Sequence, residues 1–155
     1  MTNAVPWSEF AAVAPEIATA GRRLIYRGDS GAVLLATVRG DGLPRIHPIT
    51  VAIVDGRLYA FILDSPKRTD LDRDGRYAMH THQDPAVPSE FAIRGWARLV
   101  TDRKERSAVA ATWKFEVDDT YDLFEFCLQS AVLGVRAGPD EWPPRYTSWA
   151  APAAN

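Results

Sequence analysis

Two strand-like runs joined by Asp55-Gly56 constrain the fold of this 155-residue chain more than any other feature. Residues 46–54 and 57–63 are rich in β-branched, apolar and aromatic side chains, which strands favour. An Asp-Gly pair suits a two-residue hairpin turn, because glycine tolerates the positive φ that such turns require. The sequence therefore predicts an antiparallel hairpin over residues 46–63.

A helix start with two cations follows the hairpin. Ser65 is a candidate N-cap, and Pro66 suits the first helical position. Unpaired N–H groups at a helix start, next to Lys67 and Arg68, favour a bound phosphate. Arg45 begins the first strand of the hairpin and is expected within reach of the same point. The pattern predicts an anion site, with a solvated Lys-Arg pair on an ordinary helix start as the open alternative.

The other predicted elements are short strands and singly inserted helices. Strands are predicted over residues 33–38, 76–81, 91–100 and 124–135. Helices are predicted over about residues 7–27, 65–74 and 103–113, with caps at Ser8 and Asp102 and a break at Pro15. Because tight turns join most strands, this order favours a mainly β fold, a small antiparallel barrel or sandwich, over a parallel α/β sheet.

Glycines and prolines predict where regular structure is interrupted. Gly75 suits a left-handed residue at a helix end, and Gly95 suits a bulge or a close backbone approach within a strand. Residues 83–88 and the tail from about residue 137 to 155 contain several prolines, so both are predicted to be irregular.

Composition excludes several classes of protein. The length fits a single domain over residues 1–155, and the net charge of −2 argues against a nucleic-acid surface. No run approaches the roughly 20 apolar residues of a membrane span. Cys127 is the only cysteine, so there is no internal disulfide framework, and its apolar neighbours predict a buried, inert thiol. Without a secretory pattern at the N-terminus, a cytoplasmic protein is expected.

Several segments together resemble the pyridoxamine 5′-phosphate oxidase-like, FMN-binding split-barrel superfamily. The matching segments are residues 42–45, the run to Thr50, Ala60 with Phe61, Ser65 with Lys67, and residues 95–99. The resemblance covers roughly residues 25–100 and implies an antiparallel six-stranded split barrel. It also implies a homodimer with the cofactor at its interface, and five tryptophans in a chain of this size fit such an interface.

The resemblance implies FMN as the cofactor, with phosphate on Arg45, Ser65 and Lys67 and with residues 47–50 along the isoalloxazine ring. The full set of implied cofactor-binding residues is Arg45, Ile46, His47, Pro48, Ile49, Thr50, Ala60, Phe61, Ser65, Lys67 and Arg68. In a strand, Arg45, His47 and Ile49 share one face, and Ile46, Pro48 and Thr50 share the other. Pro48 predicts an edge or a bulge. For His47, an ordinary half-exposed strand position is an equal alternative.

Two departures from the resemblance concern the substrate. The vitamin-synthesising oxidases of the superfamily carry a lysine where this chain has Thr50, and a glutamine about where it has Glu90. Their basic C-terminal ending is matched only loosely by Trp142 and Arg145. An anionic substrate would lose a cation and meet an acid, so the cofactor pocket is carried over and the pyridoxamine 5′-phosphate substrate is not.

Two classes of function remain open. The first is an oxidoreductase that transfers hydride between FMN, or the deazaflavin F420, and a small organic substrate. The acidic tail of F420 could meet Arg22, Arg23 and Arg27, although a solvated cluster is the commoner arrangement. The second class is a non-catalytic flavin- or haem-binding protein that uses its histidines. No catalytic residue is identified.

Two clusters of possible metal ligands are interpreted without a metal. His80 and His82 would share one strand face, but no complete ligand set is visible, so they are interpreted as structural or pocket-lining residues. Asp70, Asp72 and Asp74 lack the glycine and glutamate of a calcium loop, and we interpret them as a solvated helix end.

Overall fold

The computed structural model of the protein describes residues 3–86 and 88–154. In this part of the chain the helices are α1 (Trp7–Val13), α2 (Pro15–Ile25), α3 (Pro66–Arg73) and α4 (Arg103–Thr112). The strands are β1 (Tyr26–Arg27), β2 (Ser30–Val38), β3 (Pro44–Val54), β4 (Arg57–Ile62), β5 (Arg76–Thr81), β6 (Glu90–Leu99), β7 (Asp122–Val135) and β8 (Arg145–Ala150). All strands and helices predicted from the sequence are present, with ends that shift by a few residues.

Six strands close into an antiparallel barrel, as predicted. They pair in the order β2, β3, β4, β7, β6 and β5, and the pairing of β5 with β2 completes the ring. The short β1 pairs with the start of β2, and β8 pairs with β7 outside the ring. The fold is therefore a mainly β six-stranded barrel with inserted helices.

The hairpin between β3 and β4 has the predicted turn. Asp55 and Gly56 have φ values of 49° and 74°, the left-handed conformations that a tight hairpin requires. β4 pairs only with residues Ala52 to Val54 of β3, so the earlier part of β3 pairs with β2 alone. Pro48 lies in that edge segment, which confirms the edge position expected of a strand proline.

The hydrophobic core has two parts. The larger one fills the barrel and extends under α1 and α2, and its most completely buried aromatic side chains are Phe10, Phe91, Phe124 and Phe126. The smaller one packs α4 against the outside of the barrel and contains Tyr59, Phe61, Val100, Val109 and Leu123. β4 is therefore buried on both of its faces.

Three expectations about helix ends are wrong. Ser8 lies inside α1, whose N-cap position is occupied by Pro6. Ser65 occupies the predicted N-cap position of α3, but its hydroxyl donates to the Leu63 carbonyl at 2.9 Å and does not cap the helix. Gly75 has no left-handed φ; instead, a Cβ at this position would lie 2.9 Å from the Ala97 carbonyl oxygen, so the backbone approach requires glycine.

The predictions of a bulge at Gly95 and of a cap at Asp102 are confirmed. The β6–β7 register shifts between Arg94 and Gly95, and a Cβ at Gly95 would lie 1.9 Å from the Cys127 carbonyl oxygen. The Asp102 carboxylate accepts a hydrogen bond from the Lys104 amide at 2.9 Å.

The prediction of an irregular tail is wrong for β8. Its residues pair antiparallel with β7, from Arg145 opposite Val135 to Ala150 opposite Ser130. Pro143 and Pro144 precede the strand, so they do not interrupt its hydrogen bonds. The predicted loop 83–88 contains no helix or extended strand in residues 83–86 and 88, and Val87 lies outside the described residues. No helix in the described ranges is long and apolar enough to cross a membrane.

Candidate functional site

Arg45 lies on the more buried side of β3 and contacts a buried carboxylate of α3. Its Nε donates to Asp70 Oδ2 at 2.8 Å, and Thr37 Oγ1 donates to the same oxygen at 2.8 Å. Arg73 Nη2 donates to Asp70 Oδ1 at 3.2 Å. Burial alone would raise the pKa of Asp70, but these hydrogen bonds outweigh it and hold the pKa below its ordinary value. The expectation that Asp70 is solvated is therefore wrong.

A cavity of about 300 Å³ lies beside these ion pairs along one face of α3, from Pro66 to Arg73, and we call it the arginine cavity. Its lining residues are Arg39, Gly40, Asp41, Arg45, Pro66, Thr69, Asp70 and Arg73. Three arginines against two aspartates give the lining a formal charge of +1. Because Ser65 does not cap α3, the first amide groups of this helix have no side-chain cap within the described ranges. The cationic wall suits a phosphate, and the uncapped amides of Lys67 and Arg68 belong to the adjoining first turn of α3.

The two predicted cations of α3 differ in their surroundings. Lys67 is half-buried in the first turn, next to Pro66 of the arginine cavity. Arg68 contacts Asp64 at 3.2 Å and Asp122 at 3.5 Å, and it donates to the Thr120 carbonyl at 2.9 Å. Arg68 is therefore bound to the start of β7 and does not line the arginine cavity, whereas Arg45 and Pro66 both do.

The outer face of the barrel forms an apolar groove of about 620 Å³. Strand register places two rows of side chains across it. One row is Pro48, Leu34, His80, Ala92, Val132 and Ser148, and the other is Ile46, Ala36, Ala78, Arg94, Ser130 and Ala150. Small residues dominate the second row, which leaves room for a ligand, while His80, Arg94 and the serines supply polar groups. Ile46 is 62% exposed on this face, directly after Arg45 in the chain.

The predicted alternation of β3 is confirmed. Arg45, His47 and Ile49 are partly buried, and Ile46, Pro48 and Thr50 are exposed. His47 Nε2 is buried without a hydrogen-bond partner in the described ranges. The structure thus places Arg45 in the arginine cavity, Ile49 against the barrel core and Ile46 on the outer face.

Ala60 and Phe61 are both buried, in different parts of the core. Ala60 is fully buried in the barrel core. The Phe61 ring packs edge-on against Trp113, with 4.9 Å between ring centroids, and Arg106 lies 5.2 Å from its centroid. The Phe61 side chain therefore faces α4, and the structure does not bring it to the groove.

Three polar side chains lie at one end of the groove face. His80 Nδ1 is 2.6 Å from the Thr81 carbonyl oxygen, which can only accept, so Nδ1 carries the hydrogen. His80 Nε2 lies 3.9 Å from Glu90 Oε2. A hydrogen bond to Glu90 raises the pKa of Tyr146. Gly134 separates Glu90 from Tyr146, because a Cβ there would lie within 3 Å of both side chains. No three metal-ligating side chains converge within residues 3–86 and 88–154.

Of the three arginines predicted for an F420 tail, Arg27 lies at the opposite end of β2 from Arg45. Arg27 pairs with Ser30 and Arg45 with Thr37, seven residues apart, or roughly 23 Å along a strand. Arg27 donates to the His82 carbonyl at 3.0 Å, and Arg22 lies 5.1 Å from the centroid of the Tyr26 ring.

A second charged cluster, centred on Glu125 in β7, was not predicted from the sequence. This side chain is fully buried and accepts hydrogen bonds from Arg57 Nη1 at 2.8 Å and Arg98 Nη2 at 2.6 Å. Glu105 of α4 accepts from Arg98 at 2.8 Å and from the Tyr59 hydroxyl at 2.7 Å. The available signal was a single acid inside the apolar run 123–128, two residues before Cys127. The Cys127 thiol, predicted to be buried, is half-buried. Even this partial burial raises its pKa to about 11, so the thiol stays protonated and inert.

One protein family matches most of the barrel sequence. The family model described as pyridoxamine 5′-phosphate oxidase matches residues 24–126. No curated protein sequence matches the chain.

Solved structures share the fold at low sequence identity. A haem-binding protein from Mycobacterium smegmatis superimposes with a TM-score of 0.64 at 16% identity, over 85% of this chain and 57% of that one. This chain therefore spans little more than half of that protein. A Clostridium acetobutylicum protein related to general stress protein 26, of the pyridoxinephosphate oxidase family, gives 0.59 at 13% identity over 92% and 95%. A NimC/NimA family protein from the same species gives 0.58 at 16% identity over 84% and 94%.

Proposed function

Because the chain belongs to the pyridoxamine 5′-phosphate oxidase family, we propose that it binds FMN and acts as an oxidoreductase on a small organic substrate. The observation that carries the proposal is Arg45, held at 2.8 Å by buried Asp70 beside the uncapped start of α3. A guanidinium fixed in this way can bind a phosphate without first losing the freedom of a mobile side chain.

Two regions of the chain would hold the two ends of FMN, its phosphate and its ring system. Arg45, Lys67 and the first amides of α3 would hold the phosphate, because they combine cations with free N–H groups. The groove that starts at Ile46 would hold the ring system against small apolar side chains. FMN when bound supplies the hydride-transfer chemistry. The chain's own contribution is to bind and orient the cofactor and substrate and to exclude water. The polar side chains that line the groove are His80, Arg94, Ser130 and Ser148.

We expect the purified protein to bind FMN, and Arg45→Ala and Lys67→Ala each to weaken that binding about tenfold or more. Each substitution removes a charge-assisted contact worth about 1.5–3 kcal/mol. Fluorescence titration measures the dissociation constants, and Lys104→Ala is the matched control, since Lys104 is an exposed cation of α4. Equal FMN affinity in the wild type and in the Arg45→Ala, Lys67→Ala double variant would exclude this phosphate site.

F420 is the alternative cofactor for the same donor set, since it also carries a ring system and a phosphate. Its acidic tail would have to extend toward Arg22, Arg23 and Arg27, about the length of β2 from Arg45. Parallel titrations with FMN and F420 distinguish the two, and tighter binding of F420 that depends on these three arginines would favour the deazaflavin.

Haem is a second candidate ligand because of His80. Its Nδ1 is committed to the Thr81 carbonyl, so the neutral ring carries its lone pair on Nε2, the nitrogen that ligates iron when Nδ1 is a donor. His80 lines the apolar groove, and one solved protein of the same fold is a haem-binding protein. Titration with haemin tests this candidate, because binding through His80 would give a Soret band that His80→Ala lacks.

We further propose that a second copy of the chain covers the groove face, so that the protein is a homodimer. Ile46, Val132 and Tyr146 are 62%, 39% and 55% exposed on this face, beside the apolar lining of the groove, and an extended apolar surface of this kind suits a protein partner. We expect sedimentation at twice 17.2 kDa, with Val132→Asp shifting the protein toward the monomer. Val13→Asp, at an exposed valine of α1, is the control. A wild-type monomer at micromolar concentration with bound cofactor would refute the dimer.

A further inference from the structure

We propose that Arg73 is a second ligand for a phosphate monoester, and that Asp70 is the positioning residue for both Arg73 and Arg45. The arginine cavity would then select phosphorylated ligands over their unphosphorylated counterparts. This inference rests on the proposed function, because it assigns the residues that recognise the phosphate of FMN.

Asp70 is placed to orient two guanidinium groups at once. Its side chain is 4% exposed, and its two oxygens have separate partners. Oδ2 accepts from Arg45 Nε and from Thr37 Oγ1, both at 2.8 Å, and Oδ1 accepts from Arg73 Nη2 at 3.2 Å. Because Thr37 is itself buried in β2, the carboxylate is anchored to the barrel as well as to α3.

Both arginines keep donors for a ligand. Arg45 reaches Asp70 through Nε, so its two Nη groups are not used in that contact. Arg73 uses Nη2 for Asp70 and for the Val38 carbonyl at 2.6 Å, while its Nη1 lies 3.5 Å from the position of a Cβ on Gly40. Both side chains line the arginine cavity, together with Thr69 and the start of α3.

The chemistry of the cavity favours a doubly charged oxyanion. Guanidinium groups present parallel N–H donors that match the oxygens of a phosphate. The formal charge of the lining is +1 even after both aspartates are counted. A volume of about 300 Å³ is small beside the groove of about 620 Å³, so the cavity suits the phosphate end of a ligand whose ring system lies elsewhere.

A positioning role and a structural role of Asp70 predict different effects on FMN and riboflavin binding. If Asp70 orients the phosphate ligands, its loss weakens FMN binding and leaves riboflavin binding unchanged, because riboflavin has the same ring system without the phosphate. If Asp70 only supports the fold, its loss weakens binding of both ligands by the same factor.

The experiment compares dissociation constants for FMN and riboflavin in the wild type, Asp70→Asn, Arg73→Gln and Arg73→Lys. We expect Asp70→Asn and Arg73→Gln to weaken FMN binding about tenfold or more, with riboflavin within about twofold of the wild type. Arg73→Lys keeps the charge and should retain part of the FMN affinity. Asp72→Asn is the matched control, because Asp72 is an exposed carboxylate of the same helix.

A titration with inorganic phosphate separates this inference from the proposed function. Asp70-dependent binding of phosphate by a protein that binds neither flavin would support the inference and refute the FMN proposal. FMN binding in which the preference over riboflavin survives Asp70→Asn and Arg73→Gln would refute the inference alone. Equal losses for FMN and riboflavin would assign Asp70 a structural role, and a wild type that binds neither FMN nor phosphate would refute both proposals.

Discussion

Replacing Glu125 with alanine is expected to lower the free energy of unfolding by about 3 kcal/mol. Glu125 is completely buried and holds Arg57 and Arg98, and removing one partner of such a group typically costs about 3–5 kcal/mol. The two arginine side chains are 43% and 45% exposed, so both can turn toward water when the carboxylate is lost. Because the arginines can be solvated in this way, we expect a loss of unfolding free energy at the lower end of the range.

Urea unfolding measures the loss of unfolding free energy in Glu125→Ala. For a domain of this size, the same loss corresponds to a fall in Tm of about 6–12 °C. Glu125→Gln keeps the shape of the side chain and one acceptor oxygen, so it should lose less stability than alanine. Glu116→Ala is the control, because Glu116 is an exposed acid outside the cluster. Equal stability of Glu125→Ala and Glu116→Ala would show that the arginines do not depend on Glu125.

The FMN-loaded protein is expected to be a poor oxidase of pyridoxamine 5′-phosphate, with kcat/KM below about 10⁴ M⁻¹s⁻¹. Thr50 follows Pro48 by two residues in β3, and Glu90 precedes Ala92 by two residues in β6, so both lie at the same end of the groove face. Three strand spacings separate β3 from β6 through β2 and β5, which places the two residues roughly 14 Å apart. The phosphate of the substrate would lose the oxidases' lysine at Thr50 and would meet the Glu90 carboxylate. A missing buried charge pair typically costs about 2–5 kcal/mol, some 30- to several-thousand-fold in rate.

Hydrogen peroxide release during steady-state turnover measures this oxidation. The Thr50→Lys, Glu90→Gln double variant restores the charges found in the oxidases and should raise kcat/KM, while each single variant should raise it less. The expectation fails if the wild-type protein already exceeds about 10⁴ M⁻¹s⁻¹ with pyridoxamine 5′-phosphate.

The barrel strands and the β3–β4 hairpin could be predicted because they depend on local signals. Asp55-Gly56 specifies its turn through backbone conformation alone, and the alternation along β3 follows from strand geometry. β8 was missed because proline density was averaged over a segment whose prolines precede the strand. Closure of the barrel depends on pairing between β2 and β5, a contact between distant segments that the resemblance implied and that periodicity could not establish.

The candidate site was only partly predictable for the same reason. Arg45 and the start of α3 were recognised as neighbours, but the partner that holds Arg45 was not. Asp70 carries no local signal of burial, because it lies among charged residues of a short helix, and only the docking of α3 on β2 encloses it. Glu125 differs from Asp70, because an acid within an apolar run does indicate a buried ion pair. The sequence does not show which residues are its partners.

Adjacent positions of β3 serve opposite sides of the strand, Arg45 in the arginine cavity and Ile46 in the groove. Because the side chains of a strand alternate, a slip of β3 by one residue against β2 would exchange the two roles. The length of the connection over residues 39–43 therefore sets both charge recognition and apolar packing. Insertions or deletions of a single residue there would be far less tolerable than substitutions, even though the connection itself is exposed.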